Sequence, residues 1–306
     1  MHIIVILFLI TFNLANIYIF LRLWRALPRR WSVRALFIVV FLILAGGYVL
    51  GRIFHDDLPR WIVSSLVWCG SWWIGFLFYF VIFLILLDLF LLMVRLLRPA
   101  CRPRRSPLVL AGAGAVTLLI AFGHFNARNV REKRIAVPLP ESCGPVEQIT
   151  VAFVSDLHLG TTVGPEHLER VLSIIERARP DLILLGGDIV DAEIDRYQEQ
   201  ELCPLLKRLQ APMGVYGVTG NHEYIAGIDH SSEYLTRNGI TLLRDRWKKI
   251  EESFYLAGRE DRSAERRGAV RKNLDQLLAG IDPDCPVILL DHQPTAFREE
   301  ADAGAD

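Results

Sequence analysis

The chain has 306 residues, 52% of them hydrophobic, with 34 Lys+Arg balancing 34 Asp+Glu. Zero net charge leaves no global basic footprint for a nucleic-acid partner. Five scattered cysteines (Cys69, Cys101, Cys143, Cys203, Cys285) form no CxxC pair, which argues against thiolate zinc sites and thioredoxin-like redox chemistry, and an odd count settles nothing about compartment.

The hydrophobic excess is concentrated in the first part of the chain, in four apolar runs at residues 3–23, 33–50, 62–97 and 108–122. A bilayer span needs about 20 apolar residues, with a range of about 17 to 25, so these runs predict about four membrane-spanning helices over residues 1–127. The first run is no cleavable signal, because its arginines follow the apolar stretch instead of preceding it. The third run is long and opens Trp-rich (Trp61, Trp68, Trp72, Trp73), which suits an interfacial belt leading into one tilted span.

Arginine placement predicts orientation. Arg22, Arg25, Arg29, Arg30 and Arg34 surround the first connection, and Arg95, Arg98, Arg102, Arg104 and Arg105 the third. The second has only Arg52 and Arg60, offset by Asp56 and Asp57. The positive-inside rule then puts connections one and three in the cytoplasm and both termini outside. Arg128, Arg131, Lys133 and Arg134 after the fourth run pull the other way. Asp88 is the one ionisable group inside a span; it falls near the cytoplasmic end, seven residues before Arg95, and an arginine partner is expected for it.

Residues 128–147 are basic and then broken by Pro138, Pro140, Gly144 and Pro145, a linker pattern. From residue 148 to 306 the periodicity changes to alternating strands and helices, which predicts an α/β domain. Strands are expected at 149–154, 181–185, 214–218, 240–243, 254–256 and 287–290, with helices at 165–179 and 196–209.

Four of these apolar segments end in polar groups: SDLH at 155–158, GGDIVD at 186–191, VTGNHEY at 218–224 and DHQP at 291–294. Asp156 and Asp188 are 32 positions apart, and Asp188 and Asn221 are 33 apart, each close to one βαβ repeat. The endings are therefore expected at one carboxyl edge of one sheet, where open α/β sheets bind ligands. On an extended chain residues i and i+2 point the same way, so Asp156 and His158 should converge. Carboxylates, imidazoles and an amide oxygen form a mixed N/O set suited to Mn, Fe or Zn. A divalent cation would also remove the repulsion between Asp156 and Asp188.

In that order and spacing, DLH, GGDIVD, GNHE and LLDHQP resemble the calcineurin-like metallophosphoesterase superfamily, and the membrane-anchored layout is similar to its transmembrane and YkuE-type members. The resemblance covers about residues 148–306. It implies a two-sheet α/β/β/α sandwich and two divalent metal ions. Asp156 and His158 would bind the first metal, Asp188 would bridge both, and Asn221 and His292 would bind the second. His222 would stand beside the substrate phosphate, with Glu223 also on the substrate side. The family pattern continues into a Gly-His-x-His segment that is not in this sequence, so the sandwich is expected to be incomplete at its C-terminus, and this chain to be a truncated form with weak metal binding and little activity.

The function expected is a membrane-anchored phosphoesterase cleaving phosphate esters or pyrophosphates with a water activated between two metals. A lipid-linked substrate fits four spans that hold the site near the bilayer, and the expected location is the plasma membrane of a bacterium, with the catalytic domain extracytoplasmic. The alternative is a catalytically degenerate membrane sensor or scaffold. No GxxxxGK[ST] occurs, which excludes P-loop chemistry, and the spans lack the paired broken helices of a transporter. Specificity is assigned to the loops at 160–164 and 224–232, which carry no readable code.

Overall fold

The structure is a computed structural model that describes residues 2–305 apart from 56, 99, 101, 102, 139, 141, 142, 192–195 and 296; for residues 2–5 and 196–198 it describes the backbone only. Asp56, Cys101 and Arg102 thus lie outside the described residues. The chain divides into two compact units, Met1–Asn129 and Val130–Asp306.

The first unit is four helices: α1 (His2–Ala26), α2 (Trp31–Ile53), α3 (Arg60–Leu97) and α4 (Arg105–Ala127). Each is long and apolar enough to cross a membrane. At about 1.5 Å per residue the 38-residue α3 reaches well beyond a hydrocarbon core of about 30 Å, as its Trp-rich opening suggests. Ile19, Phe80 and Leu84 are fully buried between the helices, while large side chains such as Phe8, Leu42, Phe78 and Leu86 point outward, as lipid contact requires. Glycine lets α2 and α3 touch: a Cβ on Gly70 would stand 2.1 Å from the Tyr48 nitrogen, and one on Gly47 2.9 Å from the Leu66 carbonyl oxygen. Polar groups find partners inside the bundle. Trp73 Nε1 donates to Asn16 Oδ1 at 2.9 Å. The arginine partner expected for Asp88 is Arg22 of α1, not Arg95 of its own helix, and the Tyr18 hydroxyl donates to the same carboxylate at 2.7 Å.

The second unit opens with a parallel sheet in the order β1-β2-β3-β4: Val151–Val154, Leu182–Leu185, Val215–Gly217 and Thr241–Leu242. Helices α5 (Pro165–Ala178), α6 (Arg196–Leu206), α7 (Asn221–Ala226) and α8 (Ile228–Arg237) form the connections. A second sheet follows in the order β5-β6-β7, Arg246–Ile250, Phe254–Gly258 and Val287–Leu290, with β5 antiparallel and β7 parallel to β6. Three short helices complete the unit: α9 (Ser263–Arg266), α10 (Leu274–Leu278) and α11 (Phe297–Asp302).

Strand alternation supplies both cores. Ile183 and Leu185 of β2 face Leu168, Leu172 and Leu206 of the helices. Leu182 and Leu184 face the other way, against Phe254, Leu256 and Leu290 of the second sheet. This is the layered sandwich the resemblance implied. One expectation changes: DHQP follows β7, so it reaches the site from the second sheet and not from the same sheet edge as the other three endings. Two cysteines also pair. Cys143 and Cys285, 142 positions apart, form a disulfide that ties the segment before β1 to the entrance of β7.

Candidate metal centre

The loops after β1 and β2 are zipped together beyond their strands. Asp156 N donates to Gly187 O at 3.1 Å, His158 N to Asp188 O at 2.9 Å, and Leu159 N to Ile189 O at 3.0 Å. This ladder, and not an extended chain, brings Asp156 and His158 together. Both have left the strand, with φ of 55° and 46°, and Asp188 stands at 48°. His158 Nε2 ends 3.8 Å from Asp156 Oδ1 and 3.6 Å from Asp188 Oδ2.

Asp188 is the hub. One group of facing donor atoms is Asp156, Asp188 and His292; the other is His158, Asp188 and His222, and each group converges within 4.8 Å. Close backbone approach depends on glycine, because a Cβ on Gly220 would stand 2.1 Å from Asp188 Oδ1. Burial pushes the Asp188 carboxyl up. The bond to His292, the His222 amide and the nearby imidazole charges outweigh that effect and hold it below its ordinary value. Burial likewise depresses the His292 imidazole, but Asp188, the Gly186 carbonyl and the Asp156 charge raise it to about 9.

The donor set fits divalent cations. His292 Nδ1 lies 2.8 Å from the Gly186 carbonyl oxygen, so it carries the proton and turns Nε2 toward Asp188, 3.4 Å away. Orientation of a ligating imidazole by a carbonyl on its other nitrogen is the usual outer-shell arrangement. Imidazole nitrogens and carboxylate oxygens 3.4–3.8 Å apart are close enough to share one cation once those nitrogens give up their protons.

The remaining expected residues fall as follows. Asn221 opens α7, and its Oδ1 accepts a hydrogen bond from Gln293 Nε2 at 2.9 Å. His222 packs edge-on to His158, ring centroids 4.4 Å apart. Its backbone N–H donates to Asp188 Oδ1 and its Nδ1 meets Asp191 Oδ1, both at 2.8 Å. Glu223 departs from the substrate-side position expected of it. It is fully buried, and its carboxylate accepts four backbone N–H bonds, from Asp188 (3.1 Å), Ile189 (2.7 Å), Val190 (3.0 Å) and Gly220 (2.7 Å). The cause is helical geometry: two residues beyond Asn221 its side chain turns back under the loops, toward amides that no strand satisfies. Burial pushes this carboxyl up, the Val190 and Gly220 amides pull it down, and the Asp188 charge pushes it up again.

Sequence reasoning assigned no role to Asp191, Gln293 or Ser155, although all three lie within the strand-end motifs. Asp191 and Gln293 orient His222 and Asn221, and the Ser155 hydroxyl donates to Asp156 Oδ2. Spacing could have pointed to Asp191, three residues beyond Asp188, but not to which imidazole it serves.

Similarity to known proteins covers the region that holds this site. The profile of the calcineurin-like phosphoesterases matches residues 149–305. An uncharacterized metallophosphoesterase of Aquifex aeolicus is 32% identical over 184 residues, covering 60% of this chain and 69% of its own length. A transmembrane protein with metallophosphoesterase domain from Danio rerio is 29% identical over 287 residues, 86% of this chain and 63% of its own. The uncharacterized metallophosphoesterase YkuE of Bacillus subtilis is 30% identical over 157 residues, 48% of this chain and 52% of its own. The chain thus spans between about half and two thirds of the length of these relatives. With strand-end carboxylates and imidazoles gathered on Asp188 and the family profile covering that whole region, the chain belongs to the calcineurin-like phosphoesterase family.

Proposed function

We propose that the protein is a membrane-tethered hydrolase of phosphate esters or pyrophosphates that works with two divalent ions, acting on lipid-linked substrates at the extracytoplasmic face. The observation that carries the reading is the sharing of Asp188 between two N/O donor groups. By the family resemblance Asp156 and His158 would hold one ion with Asp188, and Asn221 and His292 the other. The donor atoms that gather among the described residues pair instead as Asp156 with His292 and His158 with His222, each about Asp188, so Asp188 would be the ligand common to both ions. When bound, such ions neutralise phosphate charge and acidify a water. His222, its Nδ1 fixed by Asp191, presents Nε2 for the leaving oxygen, either to stabilise its charge or to give it a proton.

Four helices of bilayer length favour a substrate anchored in the same membrane. The Cys143–Cys285 disulfide favours an oxidising compartment for the catalytic unit, in agreement with the arginine-rich first and third connections facing the cytoplasm.

The test is Mn²⁺-dependent hydrolysis of bis-(p-nitrophenyl) phosphate and of a lipid-linked pyrophosphate by the purified chain, beside Asp188→Asn. Turnover lost in the variant supports the reading. Turnover that survives it refutes the site, and metal binding without turnover would favour a sensor or scaffold.

A further inference from the structure

The connections α1–α2 and α3–α4 emerge at the same end of the helical unit, and that end is charged in one sense. Five arginines lie between Arg22 and Arg34, and four described ones lie between Arg95 and Arg105. In residues 1–131 the acids are Asp56 and Asp57 of the other connection, and Asp88. Arg22 takes Asp88, and the other eight guanidinium groups have no carboxylate partner among the described residues.

Helix geometry sharpens the imbalance. Both α2 and α4 begin at this end, so their positive dipole ends point there. Their N-caps are Arg30 and Arg104, neither makes a side-chain capping bond, and neither first turn holds an acid. Arg34, one turn into α2, lies over the Trp24 ring at 4.5 Å with its Nε buried and unpartnered. A helix start in water selects the opposite residues. Placing cations on two uncapped N-termini is favourable only if an anionic layer meets them.

We propose that this end of the bundle binds the headgroup phosphates of anionic phospholipids. Helix length selects this occupant over a soluble polyanion. Helices α2 and α4 have 23 residues each, so they extend about 34 Å at about 1.5 Å per residue, against a hydrocarbon core of about 30 Å. Their first residues therefore fall at the depth of the lipid phosphates. Guanidinium forks match phosphate in two-point hydrogen bonds, and clustered cations beside a span are the known means of holding acidic lipid.

The purified chain in mild detergent, given equal amounts of phosphatidylglycerol and phosphatidylcholine, would be examined by native mass spectrometry. The expected result is at least tenfold preferential retention of phosphatidylglycerol, as a roughly tenfold effect is what a contact of about 1.4 kcal/mol gives. The preference should be lost in a variant combining R29Q, R30Q, R104Q and R105Q, and kept in R52Q/R60Q at the opposite connection. If the fourfold variant loses its helical circular dichroism, R29Q/R30Q and R104Q/R105Q tested separately should each lose part of the preference. Equal retention of the two lipids, or a preference that survives the substitutions, overturns the proposal. So does displacement of phosphatidylglycerol by millimolar inorganic phosphate, which would mark a site for free anions.

Discussion

Replacing Glu223 by glutamine isolates what the buried carboxylate does. One oxygen serves Ile189 N and Val190 N, the other Asp188 N and Gly220 N. Glutamine keeps one oxygen and turns an amino group toward two amides that are themselves donors. A buried donor left unsatisfied costs about 1–3 kcal/mol, so the variant should lose about 2–6 kcal/mol. That is a large part of the roughly 5–15 kcal/mol that holds a domain together. For a midpoint of about 4 kcal/mol, at about 2–4 °C per kcal/mol, thermal unfolding should shift down by about 8–16 °C. Because Asp188 and Gly220 lean on one of those oxygens, affinity for Mn²⁺ should also fall, by about 10–100-fold as for other outer-shell partners. Near-ultraviolet circular dichroism on heating and calorimetric metal titration read the two effects. A variant with wild-type unfolding temperature and wild-type metal affinity would refute the brace.

Three further outcomes are expected. With His292 raised to about 9 from 6.5, its stabilisation of the metal-free domain is complete below pH 6.5 and is lost as pH rises through about 9. Metal binding at pH 7 must displace that proton, so titration heats should depend on the ionisation enthalpy of the buffer, and affinity should climb between pH 6.5 and 9; heats independent of buffer would contradict it. Asp191→Asn should cut kcat by about 10²–10⁴-fold, the usual size of a general acid-base effect, with metal affinity changed little. An equal loss of metal binding would show that Asp191 acts on the ligands and not on His222. Cys143→Ser opens a loop of 142 positions and should cost about 2–5 kcal/mol, read as a lower denaturant midpoint that reductant imposes equally on the wild type.

The membrane unit was legible because hydrophobic length is a one-dimensional property: runs at 3–23, 33–50, 62–97 and 108–122 became α1 to α4 with ends moved by a few residues. Strands β1 to β3 and β7 were legible as short apolar segments closed by polar ones. Strand β5 was not, because RWKKI carries its charges on an edge strand and reads as a surface loop. The order of strand endings pointed to carboxylates and imidazoles that the fold brings near one another, but not to their partners. Which donor atoms gather depends on how two loops pair and two sheets stack, and these are contacts between residues over thirty positions apart. Glu223 shows the limit most clearly. Within GNHE the resemblance put both His222 and Glu223 on the substrate side, yet the first turn of a helix sends Glu223 into the core.

The three left-handed residues of the centre, Asp156, His158 and Asp188, bear on how this domain could change under selection. An L-residue held at such angles gives up about 1–2 kcal/mol each, so the three together forgo a sum comparable with the lower range of a domain's whole stability. Glycine at any of them would relieve the backbone at once. A screen that scored only expression or heat tolerance would therefore be drawn to these positions first, and each improvement it collected would remove a donor from the metal centre. Foldedness and chemistry pull in opposite directions at three backbone angles, so any attempt to harden this protein has to hold those three residues fixed and look elsewhere.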